Sequence, residues 1–557
     1  MIEERLSAWV GEGLAAAAPE LRLERDPPAF EIFVPKQKAH GDFSTNVALV
    51  VAPVVDRRPR DVATTIVAHL PAHPLVRSVS IADPGFINVE VSNDWLYDAL
   101  REIVAHGIGF GRTEPDGRSV QVEFVSANPT GPLHIGHARN AVIGDSIASV
   151  MDAAGWRVER EYYYNDAGRQ MELFGASVEA RYLQLFGVAA EVPEDGYGGE
   201  YLVDVAEDIK HIHGDALVGL PVEERRAALL REGSERVLRM IESTLARFGV
   251  RFDSYFSERT LHERGDIDAA VVRLREAGYV YDNDGAVFFR STAFGDDKDR
   301  VLTRSNGAPT YFGADAAYVA DKFSRGFDHL IYVWGADHHG NVVRVKGAAQ
   351  ALGFDPDEVE VVLYQWVALL RDGVAVGMSK RAGTFAPLDE TLDEVGTDAL
   401  RFTLLLRSND APLEIDIEDM KRRSMENPVY YVQYGHARIA SILRNAVDRG
   451  VDIRPIGGAD LSLLSGEPEL DVLRAIADLP KQVREAAELR APHRLTHFAQ
   501  ELAARFHRFY TECRVLTDDD ALTQARLWLC VASKQAIANV LGLLGVSAPQ
   551  SMEREDG

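Results

Sequence analysis

The stretch PLHIGH, Pro132 to His137, combines two histidines and a glycine at a turn that can bind phosphate. A β-rich apolar run precedes it and apolar residues at helical spacing follow it, so the motif falls between a strand and a helix. The first turn of a helix offers unpaired N–H groups to an anion. His134 and His137 can donate hydrogen bonds to phosphate, and Gly136 leaves room for an adenine ring. The alternative is that both histidines only cap the helix, but their position favours the ATP site of an adenylate-forming enzyme.

A second candidate is the glycine-flanked basic loop GMSKRAGTF, Gly377 to Phe385, which follows a predicted buried strand. A lysine on a mobile loop can neutralise a pyrophosphate leaving group as a point charge, and Lys380 has this position, with Arg381 beside it. Taken alone, a short basic loop is usually a solvated turn. Paired with PLHIGH in a split sheet, it favours phosphate chemistry, with ATP as substrate and Mg²⁺ accompanying it.

Two strand–helix–strand units predict the element that positions these motifs. The first begins at Ser119 and contains PLHIGH, and the second runs from residue 328 to 370, with residues 359–370 as its last strand. About 120 mostly helical residues separate them. This pattern predicts one Rossmann-like, doubly wound parallel sheet with a helical insertion, in a multidomain α/β chain.

The spacing of apolar residues divides the rest of the chain into regions of different secondary structure. Strand-like runs at 31–35, 76–82 and 86–92 indicate a small α+β domain, and after about residue 400 the strand signal disappears into long amphipathic helices. The predicted domains are an N-terminal α+β domain at 1–110, a catalytic domain at 111–400 and an all-α bundle at 401–557. Within the catalytic domain, the insertion is expected at about 175–290 and the basic-loop region at 371–400.

The composition limits the kinds of binding partner and the cellular compartment that we expect for this protein. The net charge of −26 disfavours non-specific nucleic-acid binding, but residues 421–557 hold 18 Lys/Arg and 18 Asp/Glu, so this neutral segment is the expected platform for a selective polyanion. Cys513 and Cys530 cannot form a disulfide framework, and no apolar run approaches the roughly 20 residues of a membrane span. We expect a cytoplasmic protein without a membrane partner.

The two motifs together resemble class I aminoacyl-tRNA synthetases, in which HIGH and a KMSK-type loop share one nucleotide-binding sheet. Longer segments are similar to arginyl-tRNA synthetases over nearly the whole chain: HGDFSTNVALVVA, VEFVSANPTGPLHIGHARNAVIGD, GYGGEYLVDVAEDI, WGADHHGNVVRVKGA, GTDALRF, NPVYYVQYGHARI and GLLGVSAP. The resemblance implies ATP-dependent ligation of L-arginine to tRNA(Arg) through an arginyl adenylate, in protein biosynthesis. We expect a monomer.

The resemblance also implies which residues bind each substrate. It assigns arginine to Glu123, Ser126, Asn128, His137, Tyr311, Asp315 and His338, ATP to Pro132, Gly136, Asp337, His338, Met378, Ser379, Lys380 and Arg381, and catalysis to His134, His137 and Lys380. The chemistry agrees, because a planar guanidinium with five N–H donors suits carboxylates in a fork. The sequence does not rank Asp337, His338 and His339, and adjacent histidines make a poor metal cage, so no metal site is predicted.

One predicted C-terminal helix carries the candidate tRNA contacts. After Asn427 and Pro428 come Tyr430, Gln433, Tyr434, His436 and Arg438. Aromatic and arginine side chains can stack on splayed anticodon bases. The alternative is that these residues form the core of a helical bundle. The basic run Lys421–Arg423 is either a solvated face or a phosphate contact.

The basic loop departs from the family pattern. Gly377 stands where the family usually has lysine, and Gly131 stands where some members carry a compensating lysine before HIGH. Phosphate neutralisation therefore depends on Lys380. The rival interpretations are a class I synthetase for lysine or glutamate, and an RNA-binding relative without catalysis.

Overall fold

The structure is a computed structural model that describes residues 2–37, 40–166, 168–376, 378–379, 384–385 and 387–552. The backbone forms two compact units, one of Met1–Gly111, Arg438–Lys481 and Leu502–Ile537, the other of Arg112–Ala437, Gln482–Glu501 and Ala538–Gly557. The domain boundaries expected near residues 110 and 400 stay predictions.

The N-terminal part of the first unit is an α+β fold. Its elements are α1 (Ile2–Leu21), β1 (Ile32–Phe33), β2 (Phe43–Thr45), α2 (Val47–Val55), α3 (Pro59–His69), β3 (Val76–Ala82), β4 (Phe86–Val91) and α4 (Asp94–His106). The strands form an antiparallel sheet in the order β1-β2-β4-β3. The α+β prediction is confirmed, although the first expected strand has only two residues. Strand β2 was not predicted, because three residues are too few for a periodic signal.

The second unit contains the predicted parallel sheet and the elements around it. In chain order these are β5 (Ser119–Glu123), α5 (Ile135–Ala153), β6 (Arg157–Tyr164), α6 (Arg169–Gln184), α7 (Tyr201–His213), α8 (Val222–Arg247), β7 (Ser254–Ser257), α9 (Glu258–Arg264), α10 (Asp266–Glu276), β8 (Val280–Asn283), β9 (Ala286–Phe289), β10 (Arg300–Thr303), α11 (Tyr311–Ser324), β11 (His329–Gly335), α12 (His339–Ala351), β12 (Val359–Tyr364), β13 (Val367–Arg371), β14 (Val374–Ala375), β15 (Met378–Ser379), β16 (Thr384–Phe385), α13 (Leu388–Val395), α14 (Thr397–Leu404), β17 (Leu413–Asp416) and α15 (Ile417–Lys421).

Five parallel strands run in the order β12-β11-β5-β6-β7, which confirms the doubly wound fold. The strands are buried because helices cover the sheet, as with Val120 and Val122 of β5 at 0% exposure. The insertion is less helical than predicted, since it supplies β7 to this sheet and also β8 and β9, which form a separate antiparallel sheet with β10 beyond the insertion. These strands have four residues each, too few to stand out among helical segments.

The prediction of one strand over residues 359–370 was wrong. The chain turns at Gln365 and Trp366, so that β12 stays in the parallel sheet while β13 pairs with β17. The fully buried guanidinium of Arg139 holds this turn, donating to the carbonyls of Gln365 at 2.7 Å and Trp366 at 3.0 Å. Strand β17 also corrects the expectation that strands end near residue 400.

The C-terminal region is helical, which confirms the prediction; its long helices are α16 (Pro428–Asp448), α17 (Glu467–Glu488), α18 (His493–Glu512) and α19 (Asp520–Leu543). Asn427 begins α16 by accepting a hydrogen bond from the Val429 N–H at 3.2 Å, with proline at the first helical position. Among the described residues, no helix combines the length and apolar character needed to cross a membrane.

Candidate active site

The PLHIGH turn begins α5, and its two histidines cap that helix. Nδ1 of His134 accepts a hydrogen bond from the Gly136 N–H at 3.1 Å, and Nδ1 of His137 accepts one from the His134 N–H at 3.2 Å. The rings stack with their centroids 3.8 Å apart. Because Nδ1 accepts in both rings, the proton of each neutral imidazole lies on Nε2, which becomes a donor. Capping and phosphate binding are therefore compatible roles of the same histidines.

Helix α5 is fixed to the carboxyl ends of two neighbouring strands. The Asn140 side chain accepts from the Val125 N–H at 2.6 Å and donates to the Val333 carbonyl at 2.9 Å. Gly144 permits the close approach, because a Cβ there would lie 2.2 Å from Cγ of Phe124. These contacts hold the histidines at the crevice where a doubly wound sheet binds ligands.

The basic loop is described only in part. Strand β15 pairs antiparallel with β16, and the Leu388 N–H that follows them donates to the Leu133 carbonyl at 2.8 Å, next to His134. The end of the loop region thus contacts the PLHIGH turn. Gly377, Lys380 and Arg381 lie outside the described residues, so their roles stay predictions.

Asp337 and His338 occupy the turn between β11 and α12. Both side chains are exposed, and Nδ1 of His338 lies 3.3 Å from Nδ2 of Asn341. Pro132 and Gly136 are half-buried at the start of α5, and His339 is exposed at the start of α12. The turn is accessible to a ligand at the edge of the sheet that also holds the histidines.

A bend of left-handed backbone follows β5. Val125 has φ of +64° and Ser126 has φ of +42°, conformations that cost L residues of order 1–3 kcal/mol each. The bend turns the Ser126 hydroxyl back to donate to Oε1 of Glu123 at 3.1 Å, and its oxygen accepts from the Tyr163 N–H at 3.2 Å. Such strain persists where the surrounding contacts fix the geometry of a site.

Carboxylates gather beside this bend. Glu258, at the end of β7, is 6% exposed and accepts a hydrogen bond from the Tyr163 hydroxyl at 2.6 Å. Solvent reaches Asp315 on α11, and no ion pair or hydrogen bond of its carboxylate occurs among the described residues. Surrounding protein removes part of its water, and this desolvation, together with the negative charges of Glu258 and Glu123, raises the pKa of Asp315 to about 7. Tyr311, one turn earlier, is 56% exposed.

Glu258 was missed in the sequence, because a single glutamate after a short strand has no distinguishing spacing. Glu123, which the sequence assigned to arginine, is 6% exposed and accepts a hydrogen bond from the buried Nζ of Lys322 at 2.6 Å. The Glu123 carboxylate is therefore already paired with the Lys322 ammonium. The structure thus brings Glu123, Glu258 and Asp315 into one cluster but leaves only Asp315 accessible to solvent.

Asn128 and His137 line a cavity of about 300 Å³ beside the start of α5. Nδ2 of Asn128 donates to Oε1 of Gln170 at 2.8 Å, which joins the bend to α6. At Gly131 a Cβ would lie 3.2 Å from the Tyr201 hydroxyl, which donates to the Thr130 carbonyl at 2.5 Å. A lysine at position 131 would therefore require this tyrosine to move.

The candidate tRNA contacts on α16 separate into two kinds. Gln433 is 8% exposed and donates to Oδ2 of Asp398 at 2.8 Å and to the Ser547 carbonyl at 3.0 Å, while His436, 1% exposed, lies 2.8 Å from the Pro549 carbonyl. These two side chains hold the segment that follows α19, and tRNA contact by them stays a prediction.

The other three candidates are aromatic or cationic. The Tyr430 and Tyr434 rings stack with centroids 5.9 Å apart, and Tyr430 is 5% exposed. The Arg438 guanidinium lies 5.3 Å from the Tyr510 ring centroid. Tyr430 and Gln433 also line a cavity of about 830 Å³ with Lys421–Arg423, away from the histidines of α5. Glu394 and Asp398 line the same cavity, and Lys421 lies 3.2 Å from the Glu394 carboxylate, so phosphate contact by the basic run stays a prediction.

Family models match most of the chain. Residues 5–91 match the arginyl tRNA synthetase N terminal domain, residues 99–419 the catalytic domain of tRNA synthetases class I (R), and residues 432–552 the DALR anticodon binding domain. The matched order of domains follows the order of the predicted ones.

Individual relatives agree with these models. The chain is 47% identical over 552 residues to an arginine–tRNA ligase of Carboxydothermus hydrogenoformans and 48% identical over 553 residues to one of Moorella thermoacetica, in each case covering 99% of both chains. The solved arginyl-tRNA synthetase of Thermus thermophilus shares the fold, with a TM-score of 0.77, 23% identity and coverage of 99% of this chain and 100% of that one. The chain belongs to the arginyl-tRNA synthetase family.

Proposed function

We propose that the crevice between the start of α5 and the carboxyl ends of β5, β7 and β11 is where this chain performs the reaction of its family. The chain ligates L-arginine to tRNA with ATP, in protein biosynthesis. The observation that carries the proposed location is that two capping histidines and a cluster of carboxylates lie at the same edge of the sheet. The histidines suit phosphate, and the carboxylates suit a guanidinium.

Asp315 and Glu258 are proposed to bind the guanidinium of arginine, with Tyr311 beside it. Their support is the accessible carboxylate of Asp315, whose pKa is raised to about 7 by desolvation and by the negative charges of Glu258 and Glu123, which outweigh the opposing charge of Arg344. A guanidinium bound at this carboxylate would add a positive charge and favour the ionised form. Lysine presents one compact ammonium and citrulline none, so both would leave acceptors unpaired. Ser126, Asn128, His137 and His338 are proposed for the amino and carboxylate end.

ATP is proposed to lie along the start of α5. A carboxylate oxygen of arginine attacks the α-phosphorus, the bond to the bridging oxygen breaks, and pyrophosphate leaves. His134 and His137 donate from Nε2 as negative charge grows on the phosphate oxygens. Lys380, with Arg381, neutralises pyrophosphate, and Mg²⁺ accompanies ATP on its phosphate oxygens. Pro132, Gly136, Asp337, Met378 and Ser379 are proposed to complete the nucleotide site.

Transfer follows in the same crevice. A hydroxyl of the terminal ribose of tRNA attacks the carbonyl carbon of the adenylate, loses its proton, and AMP leaves. We propose that tRNA(Arg) binds at the C-terminal helices, where Tyr434 and Arg438 contact it and the buried Tyr430, Gln433 and His436 support that surface. We also propose that the enzyme acts as a monomer in the cytoplasm. Support comes from the match to an anticodon binding domain over residues 432–552.

Charging of total tRNA with radiolabelled arginine, against lysine and glutamate as controls, tests the substrate assignment. Arginine alone should be incorporated; incorporation of lysine instead would overturn it, and tight tRNA binding without charging would favour the non-catalytic rival. Exchange of pyrophosphate into ATP should need tRNA as well as arginine, as the family resemblance implies. Equal exchange without tRNA would contradict that requirement.

A further inference from the structure

Helix α11 carries a row of four side chains at the edge of the crevice. Tyr311, Asp315, Tyr318 and Lys322 are separated by four, three and four residues, which places them along one helix face. Tyr311 and Asp315 are exposed, whereas Tyr318 is 4% and Lys322 0% exposed. The row therefore runs from the proposed arginine pocket into the core.

Lys322 brings a positive charge into that core. Its Nζ donates to Oε2 of Glu123 at 2.6 Å and lies 3.9 Å from the ring centroid of Tyr332 and 4.4 Å from that of Tyr318. Aromatic faces are electron-rich and attract a desolvated ammonium. Since Glu123 also accepts from the Ser126 hydroxyl, both of its carboxylate oxygens are used within the protein.

The neighbouring buried carboxylate is neutralised in the same way. Glu161 lies beside Glu123 in the register of β6 and β5 and is 0% exposed. Arg325, at the end of α11, donates to its two oxygens at 2.6 and 3.0 Å, and the Tyr318 hydroxyl also donates to it. Helix α11 thus supplies one cation to each buried carboxylate, while its own Asp315 forms no ion pair among the described residues.

We propose that Lys322 is a positioning residue for substrate arginine, which neutralises Glu123 from behind the pocket and leaves the guanidinium to Asp315 and Glu258. The inference rests on the arginine pocket proposed above, and it replaces direct contact of Glu123 with arginine. The charges of Glu123 and Lys322 cancel each other. The guanidinium of the incoming arginine therefore meets the negative charge of two carboxylates instead of three. Without the ammonium, Glu123 would compete for the guanidinium and draw it away from its productive position.

A double-mutant cycle on arginine KM in tRNA charging tests this role. Glu123→Gln leaves a buried ammonium unpaired behind a cationic substrate and should raise arginine KM on the order of 100-fold, with kcat changed only a few-fold. Lys322→Met leaves a buried carboxylate unpaired and should raise it at least about 10-fold. The double variant removes both charges and should return to within about five-fold of the wild-type KM. The KM for ATP should stay unchanged throughout.

The double variant is decisive even if the single variants do not fold, because replacing a buried ion pair by a neutral pair of similar size is usually tolerated. A double variant as poor as Glu123→Gln, or raised about 100-fold over wild type when tested alone, would show that Glu123 binds arginine directly and would overturn the proposal. Single variants that fold and leave arginine KM unchanged would also overturn it. Asp315→Asn, measured in parallel, tests the pocket itself: if it leaves arginine KM unchanged, the pocket is misplaced, whatever the cycle gives.

Discussion

The crevice at the sheet edge and helix α16 both carry runs of polar and aromatic side chains, but they direct them differently. At the crevice, Asp315 and Tyr311 are exposed on one face of α11, and the histidines of α5 cap their helix at the ligand-binding edge of the sheet. On α16, Gln433 and His436 turn inward and hold the segment at Ser547 and Pro549. The crevice therefore presents a carboxylate to a ligand, whereas on α16 the polar groups of Gln433 and His436 form hydrogen bonds within the fold.

The difference has a structural origin. The crevice histidines are directed by the backbone itself, because their capping bonds at the start of α5 fix where they point. Asp315 and Gln433 both lie inside a helix, where the neighbouring elements decide whether a side chain is exposed or buried. Ligand binding should therefore depend directly on the crevice residues and only indirectly on the buried residues of α16.

The largest effect is expected for Asp315→Asn. Removing the accessible negative charge should lower kcat/KM for arginine on the order of 1000-fold, because a guanidinium loses its ionic partner in a partly desolvated pocket. Steady-state charging at varied arginine measures this. Asp268→Asn, the same change on the exposed side of α10, should have no effect. A loss below ten-fold at Asp315 would mean that the crevice is not the arginine site.

His134→Asn should separate the helix cap from the chemistry. Because asparagine is a good N-cap, the melting temperature of this variant should stay unchanged. Loss of the Nε2 donor should lower kcat about 100-fold. Thermal unfolding and single-turnover adenylate formation measure the two effects. If activity and stability fall together in this variant, the histidine acts mainly as a cap.

A pH profile distinguishes the two regions without a mutation. The pKa of Asp315 is raised to about 7 by desolvation and by Glu258 and Glu123, with Arg344 opposing the shift. Because only the ionised carboxylate binds a cation, kcat/KM for arginine should rise with pH through about 7 and fall about ten-fold per unit below it. Asp315→Asn should abolish this limb. The KM for tRNA should not show it, and a flat arginine profile from pH 6 to 8 would contradict the assignment.

The smallest effects are expected on α16. Gln433→Ala should lower the free energy of unfolding by about 1–3 kcal/mol, because buried partners on Asp398 and Ser547 lose a donor. Tyr434→Phe keeps the ring that stacks on Tyr430 and should change stability little. Chemical denaturation and tRNA KM measure both. If Gln433→Ala raised tRNA KM strongly at unchanged stability, this helix would contact tRNA directly and the contrast between the regions would weaken.

Much of the fold was readable from local signals. The apolar runs around PLHIGH predicted β5, α5 and β6, because a long periodic helix between two buried strands has few alternatives. The break at Gln365 and Trp366 was not readable, since it depends on the guanidinium of Arg139, more than 200 residues earlier. Strand β17 was missed because it exists only through its pairing with β13.

The site shows the same division. Its histidines follow from a motif at a strand–helix turn, whereas Glu258 and Lys322 were missed because single charged residues on helices are usually solvated. The one available signal for Lys322 was its place seven residues after Asp315, on the same face of α11. Only the three-dimensional contact with Glu123 shows that this lysine is internal.

The left-handed bend at Val125 and Ser126 has a consequence for thermal adaptation. Glycine at position 126 would relax the backbone but would delete the hydroxyl that contacts Glu123. Engineering for heat resistance should therefore leave Ser126 unchanged and place stabilising substitutions in surface helices or loops.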